Sequence, residues 1–246
     1  MAAASFIRVI SLLAAAAISN HVYAEAPRQV ELHYKTQTSQ ASIALHGNSK
    51  LRWINKQPNS QEAHYQLESE TTTPLLGTLF RSSSRGKLSQ DILFPLEFSE
   101  ARLQRDPKQL RFQSDRKFAS WADNPRAIAL KTAAQDRLSM IWQLVLMMKN
   151  QPPSGQDHQT WQINVVSNRS CDTWRFQLVD RLRMRTSIGE FDVLHLARIN
   201  SGNPNRGGNK LEFWLAPSLE YYPVQILFED THGLKVEQKI SSIQKH

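Results

Sequence analysis

The strongest constraint on this chain is its alternation. From Val30 onward apolar and polar residues trade places at period two, as in Val30, Leu32 and Tyr34, Ile43 and Leu45, Leu51 and Trp53, Tyr65 and Leu67, and again from Leu79. That period puts successive side chains on opposite faces of an extended strand, one face for a core and one for water. Similar runs cover Leu93 to Leu103, Leu110 to Trp121, Trp161 to Val166, Trp174 to Val179, Phe191 to Ile199, Leu211 to Leu215, Val224 to Phe228 and Leu234 to Ile243. Most are separated by short polar breaks, among them His46-Gly47-Asn48-Ser49 and Thr231-His232-Gly233. Breaks of hairpin length join antiparallel neighbours, whereas parallel strands need long crossovers. The pattern therefore predicts a meander of about 11–12 strands. No break is rich enough in Pro, Gly and Ser to act as a linker, so residues 25–246 read as a single β-rich domain.

One segment breaks the period. Between Asp136 and Lys149, Leu138, Ile141, Trp142, Val145 and Met148 recur at spacings of three and four, which marks a helix. Asp136 suits its start and Lys149 the negative end of its dipole, and Pro152-Pro153 stops it. Leu144, Leu146 and Met147 carry the apolar stripe almost all round, so most sides must be covered. The predicted fold is mainly β: a large curled antiparallel sheet, a half-barrel or open-barrel meander, with one main α-helix packed on its concave side. A helix plugging one end of an ordinary barrel satisfies the same pattern.

The first residues read as an export signal. Arg8 precedes an apolar run from Val9 to Ile18, and Val22-Tyr23-Ala24 places small residues at the minus-three and minus-one positions of a cleavage site. As a helix the run reaches about 15 Å, half of the roughly 30 Å hydrocarbon layer, so residues 1–24 are expected to be cleaved and not to span. Glu25 at the new N-terminus is not a cysteine that could carry lipid. Loss of Arg8, with no acidic residue removed, lowers the formal charge from +8 to +7. A basic exported protein meets anionic lipid, lipopolysaccharide or acidic glycan, or a protein partner of the envelope, and not nucleic acid. The expected address is the periplasm, in soluble form. In that oxidising compartment the single cysteine, Cys171, is expected to be buried.

Catalytic motifs are scarce. One cysteine excludes a disulfide framework and any cysteine-built metal cluster, and none of the nine glycines is spaced as G-x-G. Asp192 and His195 lie three apart on a strand and so face opposite ways, while Asp157-His158 has no third ligand close in sequence. No G-x-S-x-G elbow is present. The sequence thus calls for no metal and no cofactor, nominates no nucleophile, and reads as a non-enzyme, with an envelope hydrolase as the last of three alternatives.

The most patterned polar feature is Arg181-Leu182-Arg183-Met184-Arg185, which when extended lays Arg181, Arg183 and Arg185 on one face. Guanidiniums grip phosphate or carboxylate through paired hydrogen bonds, although such a row is also an ordinary solvated strand face. Arg116, Lys117, Arg126 and Lys131 form a looser basic stretch around Trp121.

The last third carries Ser187-Ile188-Gly189-Glu190-Phe191, then Leu211-Glu212-Phe213-Trp214-Leu215-Ala216-Pro217, Tyr222-Pro223-Val224, Asp230-Thr231-His232-Gly233 and Ile240-Ser241-Ser242-Ile243. With Asp136-Arg137-Leu138-Ser139 opening the helix, this resembles the exported proteobacterial family known as domain of unknown function 3108. The resemblance implies a Gram-negative periplasmic address and no catalytic residues. The same ending is more distantly similar to the LolA and RseB type of periplasmic half-barrel, which implies an open antiparallel sheet with a helical lid over a lipid-accepting cavity. Those carriers use several helices, and this sequence has one.

The functional expectation is a non-enzymatic binding module for a lipid or other amphiphilic envelope component. Its site would comprise Trp121, Leu138, Ile141, Trp142, Val145 and Met148 around a hollow, with Arg181, Arg183 and Arg185 meeting a head group. The expectation needs the helix to carry more apolar surface than packing against the sheet can consume. The alternative is a structural or scaffolding envelope protein with a filled interior, binding protein or glycan through its outer face.

Overall fold

The computed structural model describes residues 28–40, 43–56, 63–154, 159–199 and 209–246. The expected signal segment 1–24, its cleavage site and the Asp157-His158 pair lie outside the described residues. In chain order the strands are β1 (Gln29–Gln40), β2 (Ile43–Asn55), β3 (Ala63–Thr73), β4 (Gly77–Ser89), β5 (Ile92–Arg102), β6 (Lys108–Phe112), β7 (Phe118–Trp121) and β8 (Asn124–Ala129). The helix α1 (Ser139–Asn150) follows, then β9 (Thr160–Val166), β10 (Cys171–Thr186), β11 (Gly189–Ile199), β12 (Lys210–Ala216), β13 (Tyr222–Glu229) and β14 (Lys235–Lys245).

The fourteen strands among the described residues form one antiparallel sheet, in the order β8-β7-β6-β5-β4-β3-β2-β1-β14-β13-β12-β11-β10-β9. The chain lays down each half as a meander and joins the halves where β1 pairs with β14. The two ends of the sheet, β8 and β9, come together through the connection that leads into the helix. There Gln135 makes an isolated parallel bridge to Val165, accepting from the Val166 N–H at 2.8 Å and donating to the Asn164 carbonyl at 2.7 Å. The seam is held by one short bridge and by side chains, so the barrel is nearly closed.

The strand count exceeds the expectation for local reasons. The run Leu110 to Trp121 is two short strands, because a turn around Arg116, with a positive φ of 60°, interrupts it, and β8 was not anticipated. The supposed break His46 to Ser49 is the middle of β2. Gly47 is there for clearance: a Cβ on it would sit 2.1 Å from the Thr72 carbonyl oxygen of β3.

The helix lies inside. Its start is set by Asp136, whose Oδ1 accepts the N–H groups of Leu138 and Ser139 at 2.8 Å each, while the Ser139 hydroxyl accepts the Asp136 N–H at 3.0 Å. Asp136 therefore caps from outside, and the helix begins three residues later than the sequence suggested. At the other end Lys149 reaches Glu220 at 2.9 Å, tying the helix to the turn before β13.

Packing consumes the apolar excess of α1. Trp142 is fully buried, with its ring 4.9 Å from Trp53 of β2 at 11° and 5.5 Å from Tyr222 of β13 at 26°. Trp53 stacks in turn on Tyr65 of β3. This aromatic column runs from one half of the sheet through the helix to the other. Leu138, Leu144, Val145, Leu146 and Met148 are buried in the same core, which spans both halves. A second interior layer is polar: Thr36, Ser49 and Thr71 pass hydrogen bonds across β1, β2 and β3 at 2.6 and 2.8 Å.

Candidate functional site

Four places in the fold combine chemistry with geometry. The first is a cleft of about 370 Å³ where the β4–β5 turn, the connection before the helix, α1 and β9 meet. Ile92, Ala133, Met147 and Ile163 give it an apolar lining, Gln90, Gln143, Asn150, Gln151, Gln162 and Asn164 supply amides, and Asp91 adds a carboxylate that accepts from the Asn150 amide at 3.0 Å. Several of those amides are held in place. Gln143 accepts the Leu93 N–H at 2.8 Å and donates to the Asp91 carbonyl at 3.1 Å, and Asn164 donates to the Thr132 carbonyl at 2.8 Å. Here the helix reaches the surface through the seam, and the volume falls in the range of small-molecule sites.

The second is a buried polar network. The Ser84 hydroxyl donates to Asp136 Oδ2 at 2.6 Å and lies 3.1 Å from the Tyr65 hydroxyl. Burial pushes the Asp136 carboxyl up, against the bonds from Ser84, Ser139 and Leu138, and burial also pushes up Tyr65. Ser84 and Ser139 are sealed from solvent, so neither could reach a substrate. The network anchors the helix to β3 and β4.

The third is a cationic notch at the end of the barrel where β5 leads into β6. Arg137 stacks over Trp121 at 5.8 Å, contacts Glu100 at 3.5 Å and donates to Asn168 at 3.1 Å. Arg102, Arg105 and Lys108 complete a notch of about 110 Å³. The fourth is a half-buried arrangement around His195, with Trp214 and Glu212 buried beside it. The His195 ring stacks on Trp214 at 4.3 Å, with Nδ1 3.2 Å from Asp180 and Nε2 3.4 Å from Glu212. Among the described residues no group of three or more His, Cys, Asp and Glu side chains could hold a metal ion.

The residues singled out from sequence do not gather at one place: Arg181 and Arg183 line a shallow cleft of about 270 Å³ with Leu182, Asp192, Val193, Leu194 and Pro217, apart from the helix. Leu138, Trp142, Val145 and Met148 are packed, Ile141 is half-buried against the core, and none of the five lines one of the clefts described above. The helical residues that do are Gln143, Met147 and Asn150. Trp121 is buried beside the notch, its indole N–H donating to the Ser167 carbonyl at 3.2 Å.

Arg181, Arg183 and Arg185 are exposed on β10, and a bulge decides which way they point. Leu178 stands opposite Leu196, but Asp180 stands opposite His195, so Val179 is the extra residue and the alternation changes phase. Arg181 therefore shares a face with Leu178 and Leu194. Arg181 reaches the Pro153 carbonyl, and Arg183 pairs with Glu190 at 3.3 Å. The looser basic stretch is partly structural: the Arg116 guanidinium turns inward between Phe94 and Phe112 to bond the carbonyls of Pro95 and Ala134. Cys171 is buried, and desolvation raises its thiol pKa.

Residues 31–239 match the model of a family described as protein of unknown function (DUF3108). The chain belongs to that family. No curated protein matches the DUF3108 chain. Among solved structures it is similar to a β-barrel-like protein of the DUF1849 domain from Brucella abortus, at 8% identity and a TM-score of 0.56, covering 91% of this chain and 100% of that one. That likeness concerns the fold alone. A domain from Vibrio parahaemolyticus, provisionally described as an outer membrane lipoprotein-sorting protein, is found at 10% identity and a TM-score of 0.29, covering 89% of this chain and 85% of that one. A DUF1329 protein from Desulfovibrio piger is found at 8% identity and a TM-score of 0.30, over 90% and 87%. Scores this low carry no argument about the DUF3108 protein. No helix among its described residues is long and apolar enough to cross a membrane.

Proposed function

We propose that this protein is a non-enzymatic binding module of the periplasm that takes an amphiphilic envelope component in the cleft beside α1. The observation that carries the reading is the composition of that cleft. Ile92, Met147 and Ile163 offer apolar contact where the helix emerges, and the amides of Gln143, Asn150, Gln162 and Asn164 surround it. Such a lining, with the Asp91 carboxylate beside the amides, suits a ligand with a short apolar part and a neutral or cationic hydrogen-bonding part and disfavours an anionic one, as in a zwitterionic lipid or glycolipid fragment. Each buried methylene contributes on the order of 0.8 kcal/mol. The apolar run after Arg8 supports export, and the basic charge suits an anionic envelope.

Native mass spectrometry of protein purified from the periplasm, followed by lipid extraction, tests this. A bound amphiphile lost from Met147→Lys is the expected result. Protein that carries no amphiphile, and whose stability is unchanged by delipidation, would overturn the reading.

A second reading, a scaffolding protein that binds envelope proteins or acidic glycan through its outer face, is favoured by one observation: the Trp53–Trp142–Tyr222 column fills the interior. It predicts a protein partner whose retention is indifferent to Met147→Lys.

A further inference from the structure

The turn between β3 and β4 contradicts the rules for a soluble hairpin. Thr73 pairs with Gly77 across a three-residue loop, Pro74-Leu75-Leu76, and Gly77 takes φ +66°, the left-handed position such a loop requires. The Thr73 hydroxyl accepts the Leu76 N–H at 3.2 Å and fixes the tip. Turn chemistry favours Asn, Asp, Gly or Ser at such positions, and gains nothing from leucine. Yet Leu75 is 85% exposed and Leu76 48%.

The neighbouring tip repeats the pattern. The Leu103 N–H donates to the Leu79 carbonyl at 2.9 Å, which sets the β5–β6 turn beside the β3–β4 turn, and Leu103 is 40% exposed. Arginines stand beside the second tip, with Glu100 and Asp106 lining the same notch. Arg102 pairs across the ladder with Phe80 and lies 5.9 Å over its ring, and Arg105 follows two residues after Leu103. Among the described residues neither arginine pairs with a carboxylate, whereas Arg81 pairs with Glu70 and Lys108 with Asp123.

We propose that this end of the barrel docks on the surface of an anionic phospholipid bilayer, with Leu75, Leu76 and Leu103 entering the boundary between head groups and acyl chains and Arg102 and Arg105 meeting lipid phosphates. A convex tip of two leucines has no flat face to match against a folded partner, but it suits a fluid layer that closes around it. Arginine stems lie along apolar surface while their heads stay at the polar boundary, and a basic chain is drawn to an anionic leaflet. This surface lies at the opposite end of the barrel from the β4–β5 turn that lines the cleft, so docking stands or falls independently of ligand binding there.

Co-sedimentation of protein expressed from the full sequence with phosphatidylcholine vesicles containing about one-third phosphatidylglycerol tests the proposal. Wild-type protein is expected to sediment, and Leu75→Ser/Leu76→Ser to bind at least about tenfold more weakly at an unchanged melting temperature. Arg102→Gln/Arg105→Gln should remove most of the difference between anionic and neutral vesicles, as should salt at about 0.5 M, where screening is short-ranged. The proposal is overturned by wild-type protein that stays in the supernatant, by a serine variant that sediments equally well, or by binding indifferent to both salt and lipid charge. Loss of a co-purifying protein from the serine variant, without vesicle binding by the wild type, also overturns it and assigns the tip to a protein partner.

Discussion

Replacing Trp142 with alanine measures how full the barrel is. The side chain is fully buried between Trp53 and Tyr222. A buried tryptophan removes about 200 Å² from water, which at about 25 cal/mol per Å² is an upper limit near 5 kcal/mol. Alanine keeps only its methyl, and two aromatic contacts of about 0.5–1.5 kcal/mol each are lost. Against this, the Trp142 indole N–H is buried without an acceptor among the described residues, and its removal returns part of the loss. The net expectation is about 4 kcal/mol, within the usual range for tryptophan to alanine in a rigid core. For a domain of this size that is a fall of about 8–16 °C in melting temperature. Guanidinium unfolding followed by tryptophan-independent circular dichroism gives the number directly. A rigid core also leaves an indole-shaped void, so added indole should restore part of the stability of Trp142→Ala and do nothing for the wild type. A loss below about 1.5 kcal/mol, or an equal response of wild type to indole, would show that the helix lies in a loosely filled interior and that the packing argument is wrong.

Four further outcomes rest on the same geometry. Asp136→Ala should cost about 2–3 kcal/mol by urea unfolding, since it removes the helix cap and leaves Ser84 without its acceptor, whereas Asp136→Asn should cost much less. Because burial raises the Asp136 pKa, the folded state holds that proton longer than the unfolded chain, so the advantage of wild type over Asp136→Asn should shrink as pH rises above the ordinary carboxyl range. Glu220 behaves oppositely: burial opposes its charge, but bonds from Lys245 and Lys149 overcome that and hold its carboxyl at about 2. Its contribution is present above the ordinary value of 4.5 and lost as pH falls towards 2, so an acid titration of stability should flatten in Glu220→Gln. Gly47→Ala should cost about 2–3 kcal/mol, because the new Cβ meets the Thr72 carbonyl oxygen, and Gly77→Ala nearer 1, since nothing lies within 4 Å there and only its φ of +66° resists; thermal unfolding separates the two.

Much of the fold was legible because its two periods are physical. Alternation at Val30, Leu32 and Tyr34 reports a strand with one buried face, and all three are buried. Spacing of three and four from Leu138 to Met148 reports the helix, and its all-round grease reported a covered one. What failed was punctuation. Gly47 reads as a turn residue because glycine usually buys conformational freedom, but here it supplies clearance for a passing carbonyl, which depends on a neighbouring strand. The bulge at Val179 is silent for the same reason: a strand with one surplus residue keeps its local alternation, and only its partner shows that the phase has moved.

The site was harder, and the difficulty follows from where the apolar surface goes. A helix with grease on every side can be a cavity wall or a plug, and its own sequence is identical in the two cases. The deciding residues, Trp53 and Tyr222, lie 89 positions before and 80 positions after Trp142, on strands whose pairing alone brings them to its two faces. With the interior filled, a binding surface is to be sought where the fold leaves something unused, and the two proposals lie in such places: the seam, where Met147 surfaces among amides, and the β3–β4 tip, where two leucines stand in water. The second was readable in principle: Pro74-Leu75-Leu76-Gly77 is a turn signal with the wrong residues at its apex, and an apolar pair where turn chemistry favours polar ones points to a demand from outside the fold.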